Sequence, residues 1–324
     1  MLRFLMRRLA LLVITLWLTS VCIFAVTAVL PGDVATMILG QSATPQDLAT
    51  LRRQMGLDQP LLVQYLRWFG GVLQGDLGHS LRTGGCGVQF CTEGVRVSTL
   101  LVQRSTNSAL LAAAALLIGV PISVGLGVLA AVRRDTWIDR LVAVFTLAWI
   151  SMPEFVTGVL LIIVFSTWLR LLPALSIANP NASVLDSLHL LILPALTLAL
   201  VMLAHTARMT RASMIEELRS NYVRTALLKG LPRRTVIFKH ALRNALVPTA
   251  TVIAMNIGWL MGGLIVVETV FAYPGLGQLV TFAISSRDVP LLQGVALLIA
   301  AVYSLSNLAA DLIYTYLNPK IRYV

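Results

Sequence analysis

Charge is what this sequence lacks. Asp, Glu, Lys and Arg make up only 12% of its 324 residues, about half the 25% of an ordinary soluble domain. So few charges cannot cover the water-facing surface of a chain this long, which excludes a soluble enzyme or binding domain. Acids are scarcer than bases, 14 against 25. The 4 histidines, His79, His189, His205 and His240, are scattered and show no metal-ligand spacing, and no nucleophile stands beside a base. No catalytic residue, metal site or cofactor is expected. The P-loop pattern of a nucleotide-binding chain is absent as well. With 3 cysteines the chain is not a disulfide scaffold.

What is present in quantity is apolar: 57% of residues, gathered in runs of the roughly 20 residues that cross a hydrocarbon core about 30 Å thick. These runs predict an all-α membrane protein of about six transmembrane helices, near 9–30, 106–131, 138–169, 188–208, 248–267 and 290–317. Pro153 falls midway through the third and predicts a kink. The first run follows Arg3, Arg7 and Arg8. It exceeds the 7–15 residues of a signal-peptide core and has no small-x-small site after it, so it reads as a retained helix.

The net charge of +11 is not a nucleic-acid signal, because the bases sit in short loops between spans. Arg133, Arg134 and Arg140 flank one turn, nine bases from Arg208 to Arg243 fill another, and Lys320 and Arg322 follow the last span. By the positive-inside rule these loops and both termini are cytoplasmic. Segment 31–105 is then external. Within it Thr44-Pro45-Gln46-Asp47 reads as a helix N-cap, with Leu48, Leu51 and Met55 at helical spacing and Gly56 as the stop. Pro60–Leu73 reads as an amphipathic, aromatic stretch suited to the membrane interface. This segment is either a cap over the bundle or a docking surface for an external partner. Cys86 and Cys91 lie in the same segment, with four residues between them, in an oxidising compartment. A glycine-containing turn there permits Cα atoms within the about 7 Å that a bridge needs, so the pair is either a disulfide or two thiols.

The cytoplasmic loop 209–247 is too polar for the bilayer and too patterned for a linker. Ser220 is placed to cap a short helix from Asn221, with Tyr222, Ala226 and Leu227 on one face. Gly230 fits the position just past a helix end where φ is positive, and Pro232 starts a second helix, 233–246, leading to Pro248. The prediction is a helix–turn–helix that protrudes into the cytoplasm.

Here the residues resemble a family. Tyr222-Val-Arg-Thr-Ala-Leu-Leu-Lys-Gly230 through His240-Ala-Leu-Arg-Asn-Ala-Leu-Val-Pro248 is similar to the coupling motif of binding-protein-dependent ABC importer permeases, although Arg224 and Thr225 stand where that motif usually has a glutamate. Leu30-Pro-Gly-Asp33, Gly56-Leu-Asp-Gln-Pro60, Gly75-Asp-Leu-Gly78, Val267-Glu-Thr-Val-Phe-Ala-Tyr-Pro-Gly-Leu-Gly277 and Asn318-Pro-Lys-Ile-Arg322 extend the likeness over nearly the whole chain. They resemble the first permease of the dipeptide, oligopeptide and nickel branch. Gly84-Gly-Cys-Gly-Val-Gln-Phe-Cys91 does not fit the family pattern.

The resemblance implies a type I ABC importer permease (MetI-like) fold with an external, periplasmic segment between the first two helices. It implies a division into 1–99, the first helix plus that segment, and 100–324, the core permease domain with coupling loop 209–247. The implied partners are a second homologous permease, two cytoplasmic ATP-binding subunits, an external solute-binding protein and the lipid of a bacterial inner membrane. Tyr222, Ala226, Gly230, Leu231 and Pro232 would form the contact with the ATPase. Among acidic and polar residues in or beside the spans, Glu154, Asn256 and Glu268 are candidates to line the pathway, the alternative for each being a structural hydrogen bond. An ion-coupled secondary transporter is the rival reading. It would need paired broken spans and several buried ionisable groups.

Overall fold

The computed structural model describes residues 2–29, 44–56, 58–80, 86–87, 90–91, 94–177 and 184–317. The family-like stretches Leu30–Asp33 and Asn318–Arg322 lie outside them, as do the side chains of Leu51 and Met55. In chain order the helices are α1 (Leu2–Val29), α2 (Pro45–Met55), α3 (Leu61–Leu73), α4 (Val97–Val132), α5 (Trp137–Ile150), α6 (Glu154–Leu161), α7 (Val184–Leu218), α8 (Asn221–Leu228), α9 (Leu242–Val270), α10 (Leu276–Ser285) and α11 (Val289–Leu317). A hairpin of two short strands, β1 (Cys86–Gly87) and β2 (Phe90–Cys91), lies between α3 and α4.

Among the described residues, five helical stretches are long and apolar enough to cross a membrane, and α5 with α6 makes a sixth if the bent pair is one span. The expected kink at Pro153 is a break: the chain bends by 107° there. Proline has no N–H to continue the ladder and disfavours α geometry in the residue before it. Beyond the break α6 passes into wide π-helical turns over Ile162–Trp168. Pro121, Pro194 and Pro248 instead sit inside α4, α7 and α9 without ending them. Neighbouring helices satisfy the freed backbone groups in such cases. At 1.5 Å per residue, the 36 residues of α4 span about 54 Å, well beyond the hydrocarbon core. The same holds for α7, which runs past the expected span end through Arg208 and Arg211 to Leu218.

The chain divides into two compact units. One comprises 107–277 and 305–324. Its apolar core joins Leu111 and Ala115 of α4, Leu161 of α6, Leu193, Leu198 and Met202 of α7, and Leu260 and Leu264 of α9. α7 is the central rod: 78% of its most apolar stretch is buried. Small residues let the helices close. A methyl at Gly119 of α4 would come 3.1 Å from the Ala199 backbone, and one at Gly127 would come 2.6 Å from the Ala207 carbonyl oxygen.

The other unit comprises 2–106 and 278–304. The α2 cap is a full capping box. Thr44 Oγ1 accepts from the Asp47 N–H, the Asp47 carboxylate accepts from the Thr44 N–H, and Gly56 ends the helix at φ +67°. The aromatic face of α3 packs on α1, with Phe24 against Tyr65 and Trp68 at ring-centroid distances of 5.5 and 5.8 Å. Most of α1 is otherwise exposed, with only 6% of its apolar stretch buried, although Thr27 Oγ1 accepts from Gln293 Nε2 at 2.7 Å.

Candidate functional site

Loop 209–247 is built as a capped helical hairpin on the end of α7. Ser220 occupies the N-cap of α8, but its hydroxyl donates back to the Glu217 carbonyl and accepts no first-turn N–H of α8. The far end of α8 closes as a Schellman turn. The Gly230 N–H donates to Leu227 O, the Leu231 N–H donates to Ala226 O, and Gly230 adopts φ +80°. Nothing lies within 4 Å of a methyl placed on Gly230, so backbone conformation and not space demands glycine there. After Pro232 a short turn and π-helical Val236–Ala241 run without interruption into α9. The expected second helix is therefore the root of the next span.

The hairpin has two unlike faces. Val223 and Ala226 face inward, onto Met214, Val236, Ile237, Ala241 and Ala245, with Val128 and Ala131 of α4. Outward stand Leu228, 81% exposed, and Leu227, Tyr222 and Leu231, ringed by exposed Arg224, Lys229, Arg233 and Arg234. The Tyr222 hydroxyl donates to the Glu217 carboxylate and accepts from Asn244 Nδ2 at 3.0 Å. These bonds tie α8 to the ends of α7 and α9. Burial first, then the bond to Glu217, holds the Tyr222 phenol above its usual pKa.

A second construction surrounds Glu268, in the last turn of α9 and fully buried. Its carboxylate accepts from Ser108 Oγ at 2.5 Å and from the Gly277 N–H at 2.6 Å. Ser108 Oγ in turn accepts from the Leu276 N–H. Asn107 Nδ2 donates to Pro274 O, and the Tyr273 hydroxyl donates to Asn107 O. Burial, and secondarily the Glu268 charge, push that phenol up to about 12. The non-helical run 271–275 is thus stitched to α4 and α9. Buried non-helical backbone requires this kind of satisfaction. Gly275 and Gly277 are obligatory, since a methyl at either would come within 2.2 Å of Glu268 or 2.3 Å of the Ile265 Cα, respectively.

Glu154 opens α6 directly after the break and is half-buried; a methyl on Gly263 of α9 would come 3.5 Å from its Oε1. Asn256 is buried and donates to Thr206 Oγ1 at 3.0 Å. The three candidates therefore lie at three different helix pairs: Glu154 against α9, Asn256 against α7, Glu268 against α4. Among the described residues no cluster of three or more His, Cys, Asp or Glu is placed to hold a metal.

Residues 123–323 match the family described as binding-protein-dependent transport system inner membrane component, and residues 1–109 match its N-terminal companion. The chain belongs to that permease family. It is 39% identical over 320 residues, 99% of each chain, to the probable peptide ABC transporter permease protein y4tP of Sinorhizobium fredii. It is 38% identical over 323 residues, the full length of both, to the glutathione transport system permease protein GsiC of Salmonella paratyphi A and of Escherichia coli K12. The likeness to the dipeptide, oligopeptide and nickel branch is thereby upheld. The protein is a multi-pass inner-membrane permease subunit of an ABC importer and not a secondary transporter.

Sequence reasoning missed one feature of this permease. Asp139 of α5 is buried and paired bidentately with Arg211 of α7, both bonds at 2.7 Å. Asp139 also caps the α4–α5 turn through the Asp135 N–H. The pair borders a cavity of about 400 Å³ lined also by Arg140, Arg208, Val142 and Leu147. The only local signal was an acid in the first turn of a span; nothing in the sequence pointed to a partner 72 positions away. For Cys86 and Cys91 the backbone is described but the side chains lie outside the described residues.

Proposed function

We propose that this permease forms half of the solute pathway in a heterodimer with a second, homologous permease, and that α8 is the handle by which two cytoplasmic ATP-binding subunits move it. ATP hydrolysis belongs to those partners. Both termini are cytoplasmic, an external binding protein delivers the solute, and the solute is small and peptide-like, in keeping with the relatives' names. Residues 100–324 carry the core permease domain, and 1–99 an appended helix and external segment. ATP binding biases a two-state bundle, and solute biases it from the other side.

The observation that supports this reading is the split character of the hairpin. One face is locked into the chain's own core, so that a push on α8 reaches α4, α7 and α9. The other presents Leu228 and Leu227 to water, an arrangement expected of a docking knob. Glu154, beside the break between α5 and α6, is the pathway residue of this reading. Asn256 and Glu268 hold the helices that frame it.

Leu228→Asp is the test. Burying a leucine contributes about 1.5–3 kcal/mol, and an unpaired charge in a desolvated contact costs several more. The ATP-binding subunits should then fail to co-purify with the variant permease, and uptake should fall at least tenfold, with the permease still inserted. Ala226→Asp is a poorer probe because it would strike the chain's own core. Normal co-purification with normal uptake in Leu228→Asp would refute the docking role.

A further inference from the structure

We infer that Cys86 and Cys91 are joined by a disulfide that closes the tip of an external hairpin; the external placement rests on the topology proposed above. In the antiparallel ladder Cys86 is the direct partner of Cys91, and Gly87 of Phe90. Directly opposed residues on antiparallel strands have Cα atoms about 4.5–5.5 Å apart, whichever of the two alternating pair types they form. Disulfides occupy Cα separations of about 4.4–6.8 Å. The backbone register alone therefore meets the distance condition with no rearrangement.

The root of this hairpin is fixed independently. His79 and Arg96 form an antiparallel bridge. The Ser80 N–H donates to Val95 O and the Val97 N–H to Gly78 O, both at 3.0 Å. Ser80 Oγ donates to the buried Asp288 carboxylate at 2.5 Å, and Asp288 itself caps α11 through the Leu291 N–H. A methyl on Gly94 would fall 2.0 Å from Ser80 O, so the strands of the root cross closely. Both ends of the excursion from Ser80 to Val95 are thus held.

Bond formation requires an oxidant, and a protein disulfide donor of the external compartment supplies it by exchange. The thiolate of one cysteine attacks the donor disulfide and a mixed disulfide forms, displacing one donor thiolate. The second cysteine's thiolate then attacks the sulfur of the first and releases the donor as its dithiol. The chain loses two protons and two electrons, and the donor gains them.

The test uses the full transporter in intact cells, quenched in acid, denatured and alkylated before digestion with trypsin. Cleavage after Arg82 and Arg96 leaves both cysteines in one peptide, 83–96. We expect that peptide unalkylated and lighter by two hydrogens, and doubly alkylated only after reduction. Cys22, the third cysteine, is exposed and unbridged and reports alkylation in the same digest. Double alkylation of 83–96 without reduction, or a cross-link from it to another peptide, overturns the bond. A membrane-impermeant maleimide applied to reduced intact cells separates the two ways of failing. If thiols found unbonded are labelled from outside, the bond is refuted while the external placement stands. If they are labelled only after permeabilisation, the placement and the topology behind it are refuted too.

Discussion

Replacing Glu268 by alanine should open the non-helical loop that follows α9. Its carboxylate is fully buried and receives two short bonds, from Ser108 Oγ at 2.5 Å and the Gly277 N–H at 2.6 Å. A hydrogen bond to a charged group contributes about 1.5–3 kcal/mol, and a buried donor left unpaired loses its solvation as well. Two such bonds total roughly 3–6 kcal/mol, a large share of the about 5–15 kcal/mol that separates folded from unfolded states. At about 1.4 kcal/mol per factor of ten, the Gly277 amide should lose roughly 10²–10⁴ of its protection against hydrogen exchange. Glu268→Gln keeps one acceptor and turns an NH₂ group toward the other donor, so its loss should be intermediate. Ser108→Ala removes one bond and strands the Leu276 N–H. Once Glu268 is gone, however, the serine change should add little, because the two act as one unit. The assay is hydrogen exchange of the assembled transporter in lipid nanodiscs, with the thermal midpoint measured alongside. Exchange at Gly277 within about tenfold of the parent in Glu268→Ala would refute the reasoning.

Glu154→Gln keeps the shape of the side chain beside Gly263 and removes its charge. Solute uptake should fall while subunit assembly and basal ATP hydrolysis persist, and unchanged uptake would make Glu154 a structural residue. Asp139→Ala strands Arg211, whose side chain is 34% exposed. The thermal stability of the assembled transporter should fall by about 2–4 kcal/mol, less than for a fully buried pair. Removing both partners, Asp139→Ala with Arg211→Met, should recover part of that loss; a double variant less stable than the single would contradict the ion-pair account.

The features legible in the sequence were those set by composition and by local backbone chemistry. Few charges and long apolar runs imply a bilayer because transfer free energy is a sum over residues, independent of how they pack. The Thr44–Asp47 cap and the positive φ at Gly230 were equally legible, since each is decided within one turn of chain. The third span was harder. A proline mid-run signals a disturbance, but whether the helix kinks or breaks depends on what receives the second half. Here α6 packs on α7 and α9 beyond a 107° bend.

Sequence by itself determined the class of protein, the family and the place of the helical hairpin around Gly230, because each is carried by residue identity in order along the chain. Only tertiary structure decided which way the residues of that hairpin face. A small alanine at 226 is equally consistent with a partner's groove or the chain's own core; in the structure it is half-buried and packs against the cluster of Val236, Ile237 and Ala241. Tertiary structure likewise made Glu268 a buried acceptor for Ser108 and Gly277 and brought Asp139 to Arg211. The physical reason is common to all three. A polar group's role depends on which donors stand within about 3 Å of it, and chains that meet at that distance across separate helices leave no periodicity in the sequence.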